Sequence, residues 1–251
     1  MAIKREEAFV LKRIPLRETS LFVTLFTRGS GKIQGLAKGI RREKNPLTIR
    51  FEPFTRLSVV YYEKLKSDTH LISETAILDS NAHLRARLDL FGYSSYLTEL
   101  IDTLLGVHDP HPEAFELLHE SFRLLKTAHA FQVARVFEIK LLESIGLLPI
   151  LDHCVLCGES HFEGAFFSPK QGGILCPNCD RKESGTIRIS KGAVQSLLFF
   201  LRNDVERSTR LRLNVQVARE LEQINSRFIQ FRLERPLATK RFLAELVSPK
   251  K

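Results

Sequence analysis

The chain holds only four cysteines, and they fall in two C-x-x-C pairs, Cys154-Val155-Leu156-Cys157 and Cys176-Pro177-Asn178-Cys179, with 18 residues between them. Each pair curls its thiolates to one side of a tight turn, helped by Gly158 after the first pair and Pro177 within the second. Four sulfurs are thereby able to surround one tetrahedral ion, at the spacing of a zinc ribbon or knuckle. Four thiolates leave no open position, so one structural Zn2+ would brace the fold without activating water. The alternative is a pair of redox dithiols. A thioredoxin-like site needs only one C-x-x-C at a strand-to-helix junction, which favours metal here. His153 and His161 stand nearby, but the four cysteines already complete the shell. Cysteines in tight pairs also fit a cytosolic metal site better than a disulfide framework.

On either side of this block the apolar period differs. Up to residue 80 it is close to two: Ala8 to Leu16, Leu21 to Arg28, Lys32 to Lys38, Phe54 to Tyr62 and Thr69 to Leu78 read as five short strands. Turn signals such as Arg28-Gly29-Ser30-Gly31 separate them, and Gly35 marks a bulge candidate. Five strands in so short a stretch predict a small closed barrel of the OB type, whose open face and loops commonly bind single strands. Beyond residue 80 the period moves to 3.6. One long helix or a kinked pair runs from Leu84 to Leu105, a second starts at Pro112 and a third spans Phe131 to Ile145. Ser190 reads as the N-cap of a helix to Leu201, and Val215 to Leu233 forms another. The expected fold class is α+β, with an OB-type barrel (1–80), a helical domain in two segments (81–150 and 187–251) and a four-cysteine zinc-binding insertion (151–186).

Charge is unevenly distributed. Residues 1–66 carry 15 Lys+Arg against 6 Asp+Glu, a balance of +9, while residues 67–251 carry 23 of each sign. A polyanion is the natural partner of such an end, because each cation that neutralises a phosphate releases condensed counterions. The run Lys38-Gly39-Ile40-Arg41-Arg42-Glu43-Lys44 is the best phosphate-contacting segment, since guanidinium and ammonium groups on a loop grip the backbone without reading bases. Phe22, Phe26, Phe51, Phe54, Tyr61 and Tyr62 are able to stack on bases, although a barrel core explains most of them. Gly29-Ser30-Gly31-Lys32 is not a phosphate loop: the Walker pattern finds Phe26 and Ile33 where it needs Gly and Ser or Thr. It reads as a hairpin turn.

Signatures of catalysis are missing. Glu116-x-x-His119 resembles half of a di-iron site but has no twin, and there is neither a HExxH helix nor a glycine-serine elbow. Lys4, Arg5, Glu6 and Glu7 occupy the place of a signal peptide's apolar stretch, and no apolar run approaches the ~20 residues of a membrane span. The expectation is a protein that contacts no membrane and stays in the cytoplasm.

The order of features resembles one family, the RecO mediators of bacterial recombinational repair. The resemblance rests on Ala8-Phe9-Val10-Leu11 with Glu18-Thr19-Ser20-Leu21, and on the glycine-basic run from Gly31-Lys32 to Lys38-Gly39-Ile40-Arg41-Arg42. Its most specific part is Gly146-Leu147-Leu148-Pro149-Ile150-Leu151-Asp152-His153-Cys154, followed by Phe167-Ser168-Pro169-Lys170-Gln171-Gly172-Gly173-Ile174-Leu175-Cys176. Membership would imply a non-enzymatic, nucleoid-associated protein that binds single- and double-stranded DNA and anneals complementary strands. It would also imply cooperation with RecR to load RecA onto strands coated by single-strand binding protein (SSB), with a pocket for the SSB C-terminal tail in the helical domain. DNA contact maps onto Lys38, Arg41, Arg42 and Lys44, with Lys32 from the same glycine-basic run. Zinc would sit on Cys154, Cys157, Cys176 and Cys179. The competing classes are a zinc-containing nucleic-acid enzyme such as a nuclease, a protein-interaction scaffold, and a transcription factor, for which the insertion carries too few cations to read a groove.

Overall fold

A computed structural model describes residues 2–16, 18–39, 46–64, 69–161, 164–181 and 183–247. Five strands, β1 (Ala2–Leu16), β2 (Ser20–Thr27), β3 (Gly31–Ala37), β4 (Arg56–Glu63) and β5 (Thr69–Asp79), close into a barrel in the order β1-β2-β3-β5-β4. Only the β3–β5 contact is parallel. This is the OB-type barrel expected from the alternating pattern. β1 is long enough to pair with both β2 and β4 because a bulge between Val10 and Lys12 bends it. Gly35 is not a bulge. A Cβ there would lie 2.6 Å from the Ile72 side chain, so glycine allows the parallel strands to close together. The barrel is filled by Ala8, Val10, Leu21, Val23, Leu25, Ile33, Leu57, Val59 and Tyr61, among others.

Alternation puts Phe9 and Phe26 on the outside of the barrel, yet both are fully buried. A helix covers them. After a short turn of helix, α1 (His83–Ala86), come α2 (Leu88–Leu104) and α3 (Pro112–Leu124). Phe9 meets Phe115 at 4.9 Å and Phe122 at 5.5 Å between ring centroids, Phe26 meets Phe115 at 5.8 Å, and Phe54 meets Phe91 at 5.6 Å. Such aromatic pairs add about 0.5–1.5 kcal/mol each to the area they bury.

The chain forms two compact units, residues 1–126 with 239–251, and residues 127–238. α2 and α3 belong to the barrel's unit, where their aromatic side chains meet those of the barrel. The second unit contains α4 (Ala130–Ser144), β6 (Ala165–Ser168), β7 (Gly173–Leu175), α5 (Pro177–Asp180), β8 (Ile187–Ile189), α6 (Lys191–Arg202), α7 (Val205–Thr209) and α8 (Val215–Arg232). α9 (Ala238–Val247) returns to the first unit, where the Thr239 amide donates to Glu99 at 2.9 Å.

Side-chain caps start α6, α7 and α8: Ser190 Oγ accepts from the Ala193 amide, Asp204 from Arg207 and Asn214 from Val217. Its core holds a buried polar cluster. Glu138, with no exposed surface, accepts from Arg135 at 2.6 Å and from Asn225 at 2.8 Å. The cysteine segment belongs to this unit. β7, β6 and β8 form one three-stranded sheet, so the expected insertion runs three residues past 186, and Phe167 packs edge-on against Phe228 of α8 at 5.6 Å.

Candidate nucleic-acid interface and metal centre

The first cysteine pair sits on a turn in which the Gly158 amide donates to the Cys154 carbonyl at 2.9 Å, with Gly158 at a φ of +77°. The second pair opens α5, where the Asp180 amide returns to the Cys176 carbonyl at 3.0 Å. β7 brings the two turns together, since the Val155 amide donates to Ile174 at 3.0 Å. Gly172-Gly173 makes this approach possible. Gly172 has a φ of +81°, and a Cβ on Gly173 would lie 2.4 Å from the Ile150 carbonyl oxygen.

The four sulfurs lie within 4.8 Å of one another, with Cys157 and Cys176 Sγ 3.7 Å apart. A tetrahedron of Zn–S bonds of about 2.3 Å puts its sulfurs about 3.8 Å apart, so the donor set fits one zinc ion. Burial opposes ionisation of Cys154, but the backbone amides of Cys176, Leu156 and Cys157 outweigh it and bring the thiol down to about 6. That environment favours the thiolate a metal needs. Among the described residues this is the one His, Cys, Asp and Glu group close enough to hold a metal. His153 and His161 instead bond Asp152 and Ser160. Glu116 pairs with Arg28 at 3.0 Å.

On the barrel, the outer wall of β1, β2 and β3 carries the row Ile14, Phe22 and Leu36, joined by the pairings Ile14–Phe22 and Phe22–Leu36. Ile14 is 57% exposed, Phe22 and Leu36 are half-buried, and exposed Lys38 ends the same wall just past β3. Of the six aromatics read as stacking candidates, Phe26, Phe51, Phe54 and Tyr61 are buried, while Phe22 and Tyr62 remain accessible. The Gly29-Ser30 turn offers nothing to a phosphate, because the amides of Gly29 and Ser30 already donate to Glu6 at 2.8 and 2.9 Å. Burial resists ionisation of Glu6, yet the Ser30 hydroxyl, the Gly29 amide and the hydroxyls of Tyr61 and Thr27 hold its carboxyl below the usual range.

Family models decide the identity of this arrangement: "Recombination protein O N terminal" matches residues 1–81 and "Recombination protein O C terminal" matches residues 85–241. The chain belongs to the RecO family. Three relatives named DNA repair protein RecO agree with this assignment. That of Symbiobacterium thermophilum is 31% identical over 99% of both chains. That of Bacillus pumilus is 31% identical over 98% of this chain and 96% of its own. That of Caldicellulosiruptor saccharolyticus is 30% identical over 94% and 95%. A role in recombinational DNA repair follows for this RecO chain.

Within the RecO barrel, the residues mapped to DNA fare unequally. Lys38 is exposed at the end of the open wall. Lys32 is 8% exposed and its amine is held by Asp102 of α2, 3.3 Å from Oδ1 and bonded to the Asp102 carbonyl, with Lys12 on the same carboxylate. Arg41, Arg42 and Lys44 lie outside the described residues. Acids that sequence reasoning left out of the barrel's balance reach back to it. Asp102 takes Lys12 and Lys32, Glu116 takes Arg28, and Glu74 takes Arg5. Lys4, Arg13 and Arg56 pair with Glu63, Glu52 and Glu7. The last three pairs are already counted in the +9 of residues 1–66, and the three acids from beyond residue 66 lower it by a third. Among the described residues, no helix is long and apolar enough to cross a membrane.

Proposed function

We propose that this RecO chain binds single- and double-stranded DNA on the open barrel wall, anneals complementary strands, and acts with RecR to load RecA onto strands covered by SSB. Lys38, Arg41, Arg42 and Lys44 contact phosphates, and Phe22 gives a base a ring to stack on. The reading is carried by family membership over essentially the whole chain together with an accessible apolar wall that ends at the exposed Lys38, the first cation of the basic run in the sequence.

The chemistry is non-catalytic: no bond is made or broken. Cations lower the repulsion between two phosphate chains, and base pairing supplies the specificity. One zinc ion, held by Cys154, Cys157, Cys176 and Cys179, supplies a rigid four-way crosslink when bound. The chain's own Gly172-Gly173 turn and β7 set the spacing of those thiolates. The SSB tail docks on the helical part, and the protein works in the cytoplasm on nucleoid DNA.

The test is strand annealing with SSB-coated complementary oligonucleotides across a salt series, with intact labelled DNA plus divalent metal as the nuclease control. Annealing that weakens steeply with salt is expected. Cleavage, or the absence of annealing with and without RecR, would overturn the reading. Arg41→Ala with Arg42→Ala should lower the single-strand salt slope by about 1.4.

A further inference from the structure

The charge balance of zero over residues 67–251 conceals two opposite regions. Residues 67–186 carry 9 Lys+Arg against 17 Asp+Glu, whereas residues 187–251 carry 14 against 6. Between Lys191 and Lys240 there are eight cations, and every one is arginine. Arginine presents a planar fork of donors that suits phosphate oxygens better than a lysine's point charge does.

Several of these arginines surround one turn of the second unit. Arg202, Arg207, Arg210 and Arg212 are exposed, and Arg210 pairs with Glu206. Arg202, Arg207 and Arg212 make no ion pair among the described residues, unlike the barrel cations Lys4, Arg5, Lys12, Arg13, Arg28, Lys32 and Arg56.

The turn that carries them is fixed. Gln132 of α4 donates to the carbonyls of Ser208 at 3.1 Å and Leu211 at 2.6 Å, and Asp204 caps α7 through the Arg207 amide at 2.6 Å. Leu211 thereby comes back to Arg202, and the two line a single cavity of about 290 Å³ with Gln195, Leu198, Phe199 and Asn203. An aromatic ring, aliphatic walls, two amides and a guanidinium at one opening are the groups an unpaired nucleotide uses: stacking, edge hydrogen bonds and phosphate neutralisation.

We propose that this arginine-rimmed cavity is a second seat for single-stranded DNA, so that each unit of the chain holds one strand. The inference rests on the annealing function above and assigns the second strand a place. Successive phosphates of a strand seated on Arg202 would give partners to further exposed arginines of the same unit, Arg207, Arg212, Arg219 and Arg227, which do not line the cavity itself. A short acidic peptide filling the cavity would leave most of them unused.

The experiment titrates full-length protein with a short fluorescent oligothymidylate, which cannot pair with itself, and reads stoichiometry and salt slope. Two strands per chain are expected for the natural sequence, and one for Arg202→Gln with Arg207→Gln and Arg212→Gln. The triple variant thus loses the second binding step, whose salt slope in the natural chain falls by about 0.7 for each phosphate no longer neutralised. Arg207→Gln with Arg212→Gln leaves the cavity wall intact and should lower that slope by about 1.4. The barrel variant Arg41→Ala with Arg42→Ala should keep the second seat.

If the natural chain binds one strand and the triple variant is unchanged, the second seat is wrong while the barrel reading stands. If the natural chain binds no strand, both are wrong. A triple variant that still binds two strands but loses an acidic, apolar-ended peptide would make the surface a peptide site and overturn the proposal.

Discussion

Replacing Lys32 with methionine separates a fold-holding cation from a DNA-contacting one. Methionine retains most of the aliphatic stem, so the change removes chiefly the ammonium group that bonds the carboxylate and carbonyl of Asp102. Breaking a buried ion pair by deleting one partner costs about 3–5 kcal/mol when the other charge is left alone. Here Lys12 stays on Asp102 and the carboxylate side chain is 12% exposed, so the cost falls to about 2–3 kcal/mol. For a unit of this size that lowers Tm by on the order of 5–10 °C.

The loss should depend on pH in one direction. Burial opposes ionisation of Asp102, but the Lys12 hydrogen bond and the charges of Lys32 and Lys12 hold its carboxyl below the usual range. A depressed carboxyl contributes fully above its unfolded value of about 3.9, and the contribution disappears as pH falls through the lower folded value. The Tm gap between natural chain and Lys32→Met should therefore be complete at neutral pH and close below about pH 4. Calorimetry across pH, paired with a DNA-binding salt series, reads both effects. An unchanged Tm together with a salt slope reduced by about 0.7–0.9 would show that Lys32 touches phosphate and refute the reasoning.

Elemental analysis should find one zinc ion per natural chain and none in Cys154→Ala, and the variant should show lower soluble yield and an earlier thermal melt. Gly173→Ala forces a Cβ to within 2.4 Å of the Ile150 carbonyl. The two cysteine turns should be pushed apart and zinc affinity weakened in a chelator competition, whereas Gly106→Ala, whose Cβ would meet Asp109 at an ordinary 3.5 Å, should leave affinity unchanged. Glu138→Ala removes the nearest acid from the buried Arg135 guanidinium, leaving Glu222 at 3.8 Å, and should cost about 2–4 kcal/mol, measured by urea unfolding.

All five strands and most of the helices were readable because their apolar spacing is a local property, and the metal centre because its spacing is nearly local too. What escaped was set by contacts remote in sequence. Phe9 and Phe26 look like ordinary strand residues, and nothing local says that Phe115 and Phe122 will cover them and draw α2 and α3 to the barrel. Asp102 and Glu116 neutralise Lys32 and Arg28 from 70 and more positions away, so a charge sum over residues 1–66 overstates what is free for DNA. α7 is too short to show a period, and a neutral average over residues 67–251 concealed the arginine turn beside it.

The polypeptide leaves its first unit after residue 126 and returns only at Thr239, whose amide and hydroxyl both reach Glu99. On the ribosome the first unit emerges first but receives α9 last, after the entire cysteine-bearing unit has been made. A stalled or prematurely terminated chain would therefore present the first unit with Glu99 lacking its Thr239 partner, so completion of that unit waits on synthesis of the other.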